Sequence, residues 1–264
     1  MFEHLLYATT DGVCRITLNR PEVHNALNPP LIREITRAIE AAGADESVRV
    51  VVLTGAGDKA FCSGADLKEA AGRFQAPGGF SMGELLRTTY HPMVQAIRNL
   101  PKPVVCRLNG VAAGAGCSLA LACDVIVAAN EAYFALLFVG IGLMPDAGST
   151  YFLPRMVGAQ KAFELCSTGR KVFGPEALQL GLVTRSVPAS QLDTAVAETV
   201  AYYATAPTQA IGLMKIALNQ SMMSDLATQL EQEAQYQNQL GYSDDTAEGI
   251  QAFLEKRKPV FRGK

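Results

Sequence analysis

The chain has no tryptophan and only three histidines, His4, His24 and His91, among its 264 residues. None of them stands at helix-neighbour spacing from another ligand type, so a zinc or iron site would have to be assembled from scattered cysteines and carboxylates, and no metal is expected. The six cysteines, Cys14, Cys62, Cys106, Cys117, Cys123 and Cys166, form no Cys-x-x-Cys pair, which removes the usual redox and zinc-ribbon patterns. Charge of one sign is also missing. Lys+Arg of 23 against Asp+Glu of 25 leaves a formal net charge of -2, so no global basic field exists to hold a nucleic-acid backbone. The longest apolar runs, such as residues 132–137, are far too short to cross a bilayer. Met1-Phe2-Glu3-His4 carries an acid where a signal peptide needs a basic segment. A reduced, cytoplasmic protein without nucleic-acid or membrane partners is the expectation.

With 49% hydrophobic and 18% charged residues, the chain has the composition of a globular protein with a large core. The segments of residues 5–9 and 13–18 read as a hairpin around Asp11-Gly12, a pair that tolerates the positive φ angles of tight turns. Asn28 is placed to cap a helix that begins at Pro29, buries Ile32, Ile35, Ile39 and Ala42, and stops at Gly43. Residues 48–53, 104–108 and 125–128 are short apolar runs of the kind covered on both faces in a parallel sheet. Helical stretches separate them, so the fold class is α/β. Ser81 and Glu84 form a capping box with Phe80 as a staple, and Pro92 must kink or restart the helix that follows. Beyond residue 150 the pattern is mostly helical, with residues 182–187 the one later strand. The predicted organisation is a core over 1–200 and a helical region over 201–264.

Two segments put small residues where a strand hands over to a helix: Phe61-Cys62-Ser63-Gly64-Ala65-Asp66-Leu67 and Gly110-Val111-Ala112-Ala113-Gly114-Ala115-Gly116-Cys117. Such turns let backbone N–H groups approach a ligand closely; they serve equally as close-packed turns with no ligand. Gly114-Ala115-Gly116 lacks the third glycine of a dinucleotide fingerprint, because Leu119 stands there.

These two segments, with Arg20-Pro21, Asn25-Ala26-Leu27, Pro101-Lys102-Pro103-Val104, Ala122-Cys123-Asp124 and Phe253-Leu254-Glu255-Lys256-Arg257, resemble the enoyl-CoA hydratase/isomerase (crotonase) family over essentially the whole chain. The resemblance implies a ClpP-like spiral of ββα units with a C-terminal helical layer, assembled as homotrimers that pair into hexamers. It implies an acyl-CoA substrate, no cofactor beyond that CoA moiety, and an oxyanion hole made by the N–H groups of Ala65 and Ala115. Its CoA contacts fall on His24, Ala26, Gly64, Ala65, Asp66 and Leu67, and on Phe253 and Lys256 of a neighbouring subunit.

At one place the chain departs from the family. Hydratases of the family use two glutamates, whose positions fall on Ser118 and Phe138 in this sequence. Loss of both argues against efficient hydration, since each such group contributes about 100- to 10,000-fold. The carboxylate that remains is Asp146, in Pro145-Asp146-Ala147-Gly148. Read alone, this tetrapeptide is a turn whose aspartate bonds its own backbone. The resemblance extends to the ring-1,2-epoxyphenylacetyl-CoA isomerase branch, and it implies that Asp146 is the acid/base of a double-bond shift. An apolar pocket including Phe134, Leu137 and Phe138 would then raise its pKa. The alternatives are hydration or thioester hydrolysis by Asp146, a dehalogenase-like pairing of His91 with Asp146, and a CoA binder without turnover. A hydrolase nucleophile at Cys117 or Ser118 lacks both the Gly-x-Ser-x-Gly elbow and a nearby histidine.

Overall fold

The computed structural model describes residues 2–74 and 81–264. Strands β1 (Leu5–Thr10) and β2 (Val13–Leu18) pair antiparallel about Asp11 and Gly12, with φ of 50° and 78°. Helix α1 (Pro29–Ala44) starts as expected, with the Asn28 side chain accepting from the Leu31 N–H. It does not stop at Gly43 but runs one residue further. Gly43 is small for a packing reason, since a Cβ there would stand 3.0 Å from Leu100 Cδ1.

The next elements repeat a rule: a buried strand for the large sheet, a three-residue strand for a second sheet, then a helix. They are β3 (Val50–Gly55), β4 (Ala60–Cys62) and α2 (Leu67–Phe74). Helix α3 (Met82–Leu85), a π-helical turn over Leu86–Tyr90 and α4 (His91–Asn99) lead into β5 (Val104–Leu108), β6 (Val111–Ala113) and α5 (Ala115–Leu121). The third unit is β7 (Val125–Ala129) and β8 (Tyr133–Ala135), ending in a 3-10 turn over Leu137–Ile141. There follow α6 (Ser149–Val157), α7 (Ala159–Thr168), β9 (Val172–Phe173), α8 (Gly174–Gln179) and β10 (Arg185–Val187). Helices α9 (Leu192–Thr205), α10 (Thr208–Ser221), α11 (Leu226–Gly241) and α12 (Asp244–Glu255) complete the chain.

The large sheet runs β1-β2-β3-β5-β7-β10, parallel from β2 onward, and the small one runs β4-β6-β8-β9. All six residues of β3 are buried, as its unbroken apolar run requires when α9 covers one face. The short strands of the small sheet were not visible as separate strands in the sequence. The strand expected over 182–187 is confined to Arg185–Val187, because the Leu182 N–H turns back to the Ala177 carbonyl.

The helix changes type at Pro92: the π-helical turn ends at Tyr90, and α4 begins at His91 with the proline in its first turn. The π-helical turn ahead of it pairs the His91 N–H with the Leu86 carbonyl. The Ser81 cap forms, its side chain accepting from the Glu84 N–H; the Phe80 staple lies outside the described residues.

A buried charge cluster holds α10 to the core. Lys215 Nζ lies 2.7 Å from Asp124 Oδ2 at the head of β7 and donates to the Ile97 and Lys102 carbonyls. Arg98 reaches the other Asp124 oxygen at 3.2 Å and also bonds Asn219. No helix among the described residues is long and apolar enough to cross a membrane. Asp124→Ala should cost about 3–5 kcal/mol, because it leaves the Lys215 ammonium buried without its counter-charge; urea denaturation with circular dichroism measures this.

Candidate active site

The two glycine turns come together. Strand β4 leads into Ser63-Gly64-Ala65 and β6 into Gly114-Ala115, with φ of +93° at Gly64 and +49° at Gly114. A Cβ on Gly64 would lie 2.7 Å from the Ala113 oxygen and 3.4 Å from the Ala115 nitrogen, and one on Gly116 would collide with the Cys62 carbonyl. The backbones can touch only because side chains are absent there.

A parallel bridge joins Leu27 to this turn through the Leu27 N–H to the Gly64 oxygen and the Asp66 N–H to the Leu27 oxygen. The Ala65 N–H is not part of it. Ala115 is the first residue of α5, so its N–H has no acceptor inside the helix. Two donors on abutting turns, one at a helix start, form an arrangement suited to an oxygen that gains negative charge.

Asp146 opens a tight turn. The Ser149 N–H donates to the Asp146 carbonyl at 3.0 Å, and the two residues between have positive φ, 48° at Ala147 and 90° at Gly148. This is a type I′ geometry, and an alanine in the left-handed region costs roughly 1–2 kcal/mol. The Ser118 hydroxyl donates to the same carbonyl at 2.9 Å and lies 2.7 Å from the Ser149 hydroxyl.

The aspartate's main chain is thus anchored while its side chain is not. Asp146 Oδ1 is buried and has no hydrogen-bond partner among the described residues. Burial pushes its pKa up from 3.8 to about 6, because a desolvated carboxylate disfavours its charged form. The sequence expectation gave the direction. Of the residues expected around it, Phe134 and Phe138 are buried, whereas Leu137 is 53% exposed.

Sequence reasoning passed over Tyr90. It is 4% exposed, and burial first, then the charges of Asp146 and Cys62, raise its phenol above the ordinary value. Nothing in the sequence announced the π-helical turn that carries it. His91, weighed as a partner for Asp146, opens α4 and is exposed. Neither Cys117 nor Ser118 is set up as a nucleophile. Burial pushes the Cys117 thiol up, and the Ser118 hydroxyl is taken by Asp146 and Ser149 with no histidine beside it.

The segment expected to meet CoA is built on Asn25, which is fully buried with φ of 56°. Its amide donates to the Ala56 and Ala60 carbonyls and accepts from the Arg20 N–H. Arg20 pairs with Asp66 at 3.0 Å and donates to the Ala26 carbonyl, while the His24 carbonyl accepts from the Ser63 N–H. His24 and Leu67 are exposed and Ala26 and Gly64 buried. These residues lie together beside the Ala65 turn. Phe253, 82% exposed, and Lys256, the left-handed cap of α12, belong to the separate C-terminal layer.

The family model described as Enoyl-CoA hydratase/isomerase matches residues 8–264. The chain belongs to the enoyl-CoA hydratase/isomerase family. Within it, a Rhodobacter capsulatus protein named "Probable enoyl-CoA hydratase" is 42% identical over 263 residues, covering 100% of this chain and 99% of its own. The 1,2-epoxyphenylacetyl-CoA isomerase of Escherichia coli is 38% identical over 266 residues, covering 100% of both. The crystal structure of an enoyl-CoA hydratase from Bacillus anthracis superposes with a TM-score of 0.91 at 35% identity, over 99% of this chain and 100% of that one. The crotonase fold and family read from the sequence hold, and relatives of both reaction names surround this enoyl-CoA hydratase/isomerase chain.

The raised Asp146 pKa has a consequence for stability. Below about pH 3.8 the carboxyl is protonated in the folded and unfolded chain alike. As pH rises to about 6 the unfolded state ionises first, and stability is lost across that window. Asp146→Asn should therefore melt higher than the parent at pH 8, by about 2–4 °C, the response to roughly 1 kcal/mol in a chain of this size. Scanning calorimetry at pH 8 and pH 4 should show the advantage at the first and not at the second.

Proposed function

We propose that this chain is an acyl-CoA isomerase that shifts a carbon–carbon double bond through a thioester enolate, in fatty-acid or aromatic-acid catabolism. The observation that carries the reading is the desolvated carboxylate of Asp146. Burial pushes the Asp146 carboxyl up to about 6, and its buried oxygen has no partner among the described residues, while the buried neighbour that pins its turn is a hydroxyl, Ser118. A double-bond shift needs one base that returns its proton; hydration is better served by two.

In the forward direction Asp146 takes a proton from the carbon α to the thioester of a 3-enoyl-CoA. The C–H electrons move into the carbonyl, whose oxygen becomes anionic and accepts from the Ala65 and Ala115 N–H groups. Protonated Asp146 then delivers the same proton to the γ-carbon, leaving the 2-enoyl thioester. Loss of one such amide donor typically costs about 100- to 1,000-fold. Apolar surroundings raise the carboxylate's basicity and keep water from competing.

The CoA part would lie along His24, Ala26, Gly64, Asp66 and Leu67, with Phe253 and Lys256 supplied by a neighbouring subunit and no cofactor beyond CoA itself. Leu218, Leu226, Leu230 and Leu254 on α10–α12, with Met222 and Met223 in the turn between α10 and α11, are exposed, apolar side chains suited to trimer or hexamer contacts. A second reading is hydration with Asp146 activating water, favoured by the hydratase name of the 42% identical relative.

Incubation with a 3-enoyl-CoA and a 2-enoyl-CoA separates the two. The first should be converted to the 2-enoyl isomer; a 3-enoyl-CoA left unchanged while the 2-enoyl-CoA is hydrated to 3-hydroxyacyl-CoA would rule out isomerisation. Asp146→Asn should lower kcat by about 100- to 10,000-fold. Because the base form is the active one, kcat/KM should fall as pH drops through about 6 and level off above it. Light scattering should return three or six times the 28.2 kDa chain mass.

A further inference from the structure

Ser118 is fully buried, yet it is the middle of a polar chain rather than an inert filler. The Asp146 carbonyl can only accept, so the Ser118 proton goes to it at 2.9 Å, and the Ser149 proton then goes to the Ser118 oxygen at 2.7 Å. Ser149, equally buried, gives its own N–H to the same carbonyl at 3.0 Å. Two donors thus converge on one main-chain oxygen, that of the residue whose side chain has the unpartnered buried oxygen.

The two residues that follow occupy left-handed conformations, one of them an alanine. A turn of this kind persists in an alanine-bearing loop only when its surroundings hold it. Ser118 also stands three residues after Ala115 on α5, one helical turn away on the same face. The element that presents the Ala115 N–H therefore also grips the Asp146 main chain.

We infer that Ser118 is a positioning residue: backed by Ser149, its hydroxyl fixes the Asp146 turn to α5 and so sets the placement of the carboxylate relative to the Ala115 amide. This rests on the reading of Asp146 as the base and Ala115 as an oxyanion donor. A base displaced by about 1 Å from a fixed oxyanion site loses on the order of 100-fold in rate with little change in binding. Freed from the clasp, the carboxyl also meets water, which relieves its desolvation. Tyr90, from the π-helical turn, is a titratable group whose phenol senses the Asp146 charge.

The test uses Ser118→Ala, Ser149→Ala and Asp146→Asn in the full-length protein. Turnover of a 3-enoyl-CoA is measured together with the titration of carbon-13-labelled aspartate carboxyls, Asp146→Asn identifying the signal. Ser118→Ala should lower kcat by about 10- to 100-fold with KM within about threefold, and should move the Asp146 midpoint from about 6 toward the ordinary aspartate range. Ser149→Ala, which removes only the backing hydroxyl, should shift both in the same direction by less. Wild-type kcat with an unmoved midpoint in Ser118→Ala overturns the inference. So does a fall in kcat that matches loss of folded protein by circular dichroism while the midpoint stays put. Full turnover in Asp146→Asn would instead remove the base assignment, and the carboxyl midpoint in Ser118→Ala would still decide whether the clasp positions Asp146.

Discussion

The contact on which the site depends is backbone against backbone. The Gly64 turn and the segment Ala113–Ala115 approach so closely that a single Cβ on Gly64 would stand 2.7 Å from the Ala113 oxygen. That approach puts the Ala65 and Ala115 amides on neighbouring turns, and it exists because each ββα unit ends one strand of the small sheet at the same level. Outlying hydrogen bonds stabilise it. Asn25 ties the Arg20 loop to the Ala56 and Ala60 carbonyls, and Asn109 reaches the Gly55 and Gly57 carbonyls from the next strand end. Motifs that look functional in the sequence are in part the fasteners of this junction.

The second constraint is dielectric. Burial raises Asp146, with no cation paired to it among the described residues, whereas Asp66 is paired with Arg20. The two carboxylates are thereby given different tasks. One is spent on holding the loop, and the other keeps a buried oxygen with no hydrogen-bond partner among the described residues. The C-terminal layer obeys the opposite rule, since the Lys215 ammonium is buried only because Asp124 and two carbonyls surround it.

Much of this was legible in the sequence, wherever one residue type has one physical use. Asp11-Gly12 gave the hairpin, Asn28-Pro29 the start of α1, and the unbroken runs gave β3, β5 and β7. The glycine turns and Asp146 were legible as a site only through the order of whole motifs, because each alone is also a common packing turn. What escaped was set by tertiary packing. Residues 111–113 form a strand because a neighbour offers a pairing edge, Gly43 is small because Leu100 presses on it, and Ser118 is a clasp because a turn 28 residues later comes back to it.

The π-helical turn at Leu86–Tyr90 has a further consequence. It holds one residue more than an α-helical turn would, and each residue rotates a helix by about 100°. Tyr90 and His91 are adjacent, so that single surplus residue decides which of the two is buried: here the phenol faces inward and the imidazole is exposed. Residue count, rather than residue identity, acts as a rotary selector between a phenol and an imidazole. In this chain a one-residue insertion or deletion there would exchange which of the two side chains is buried.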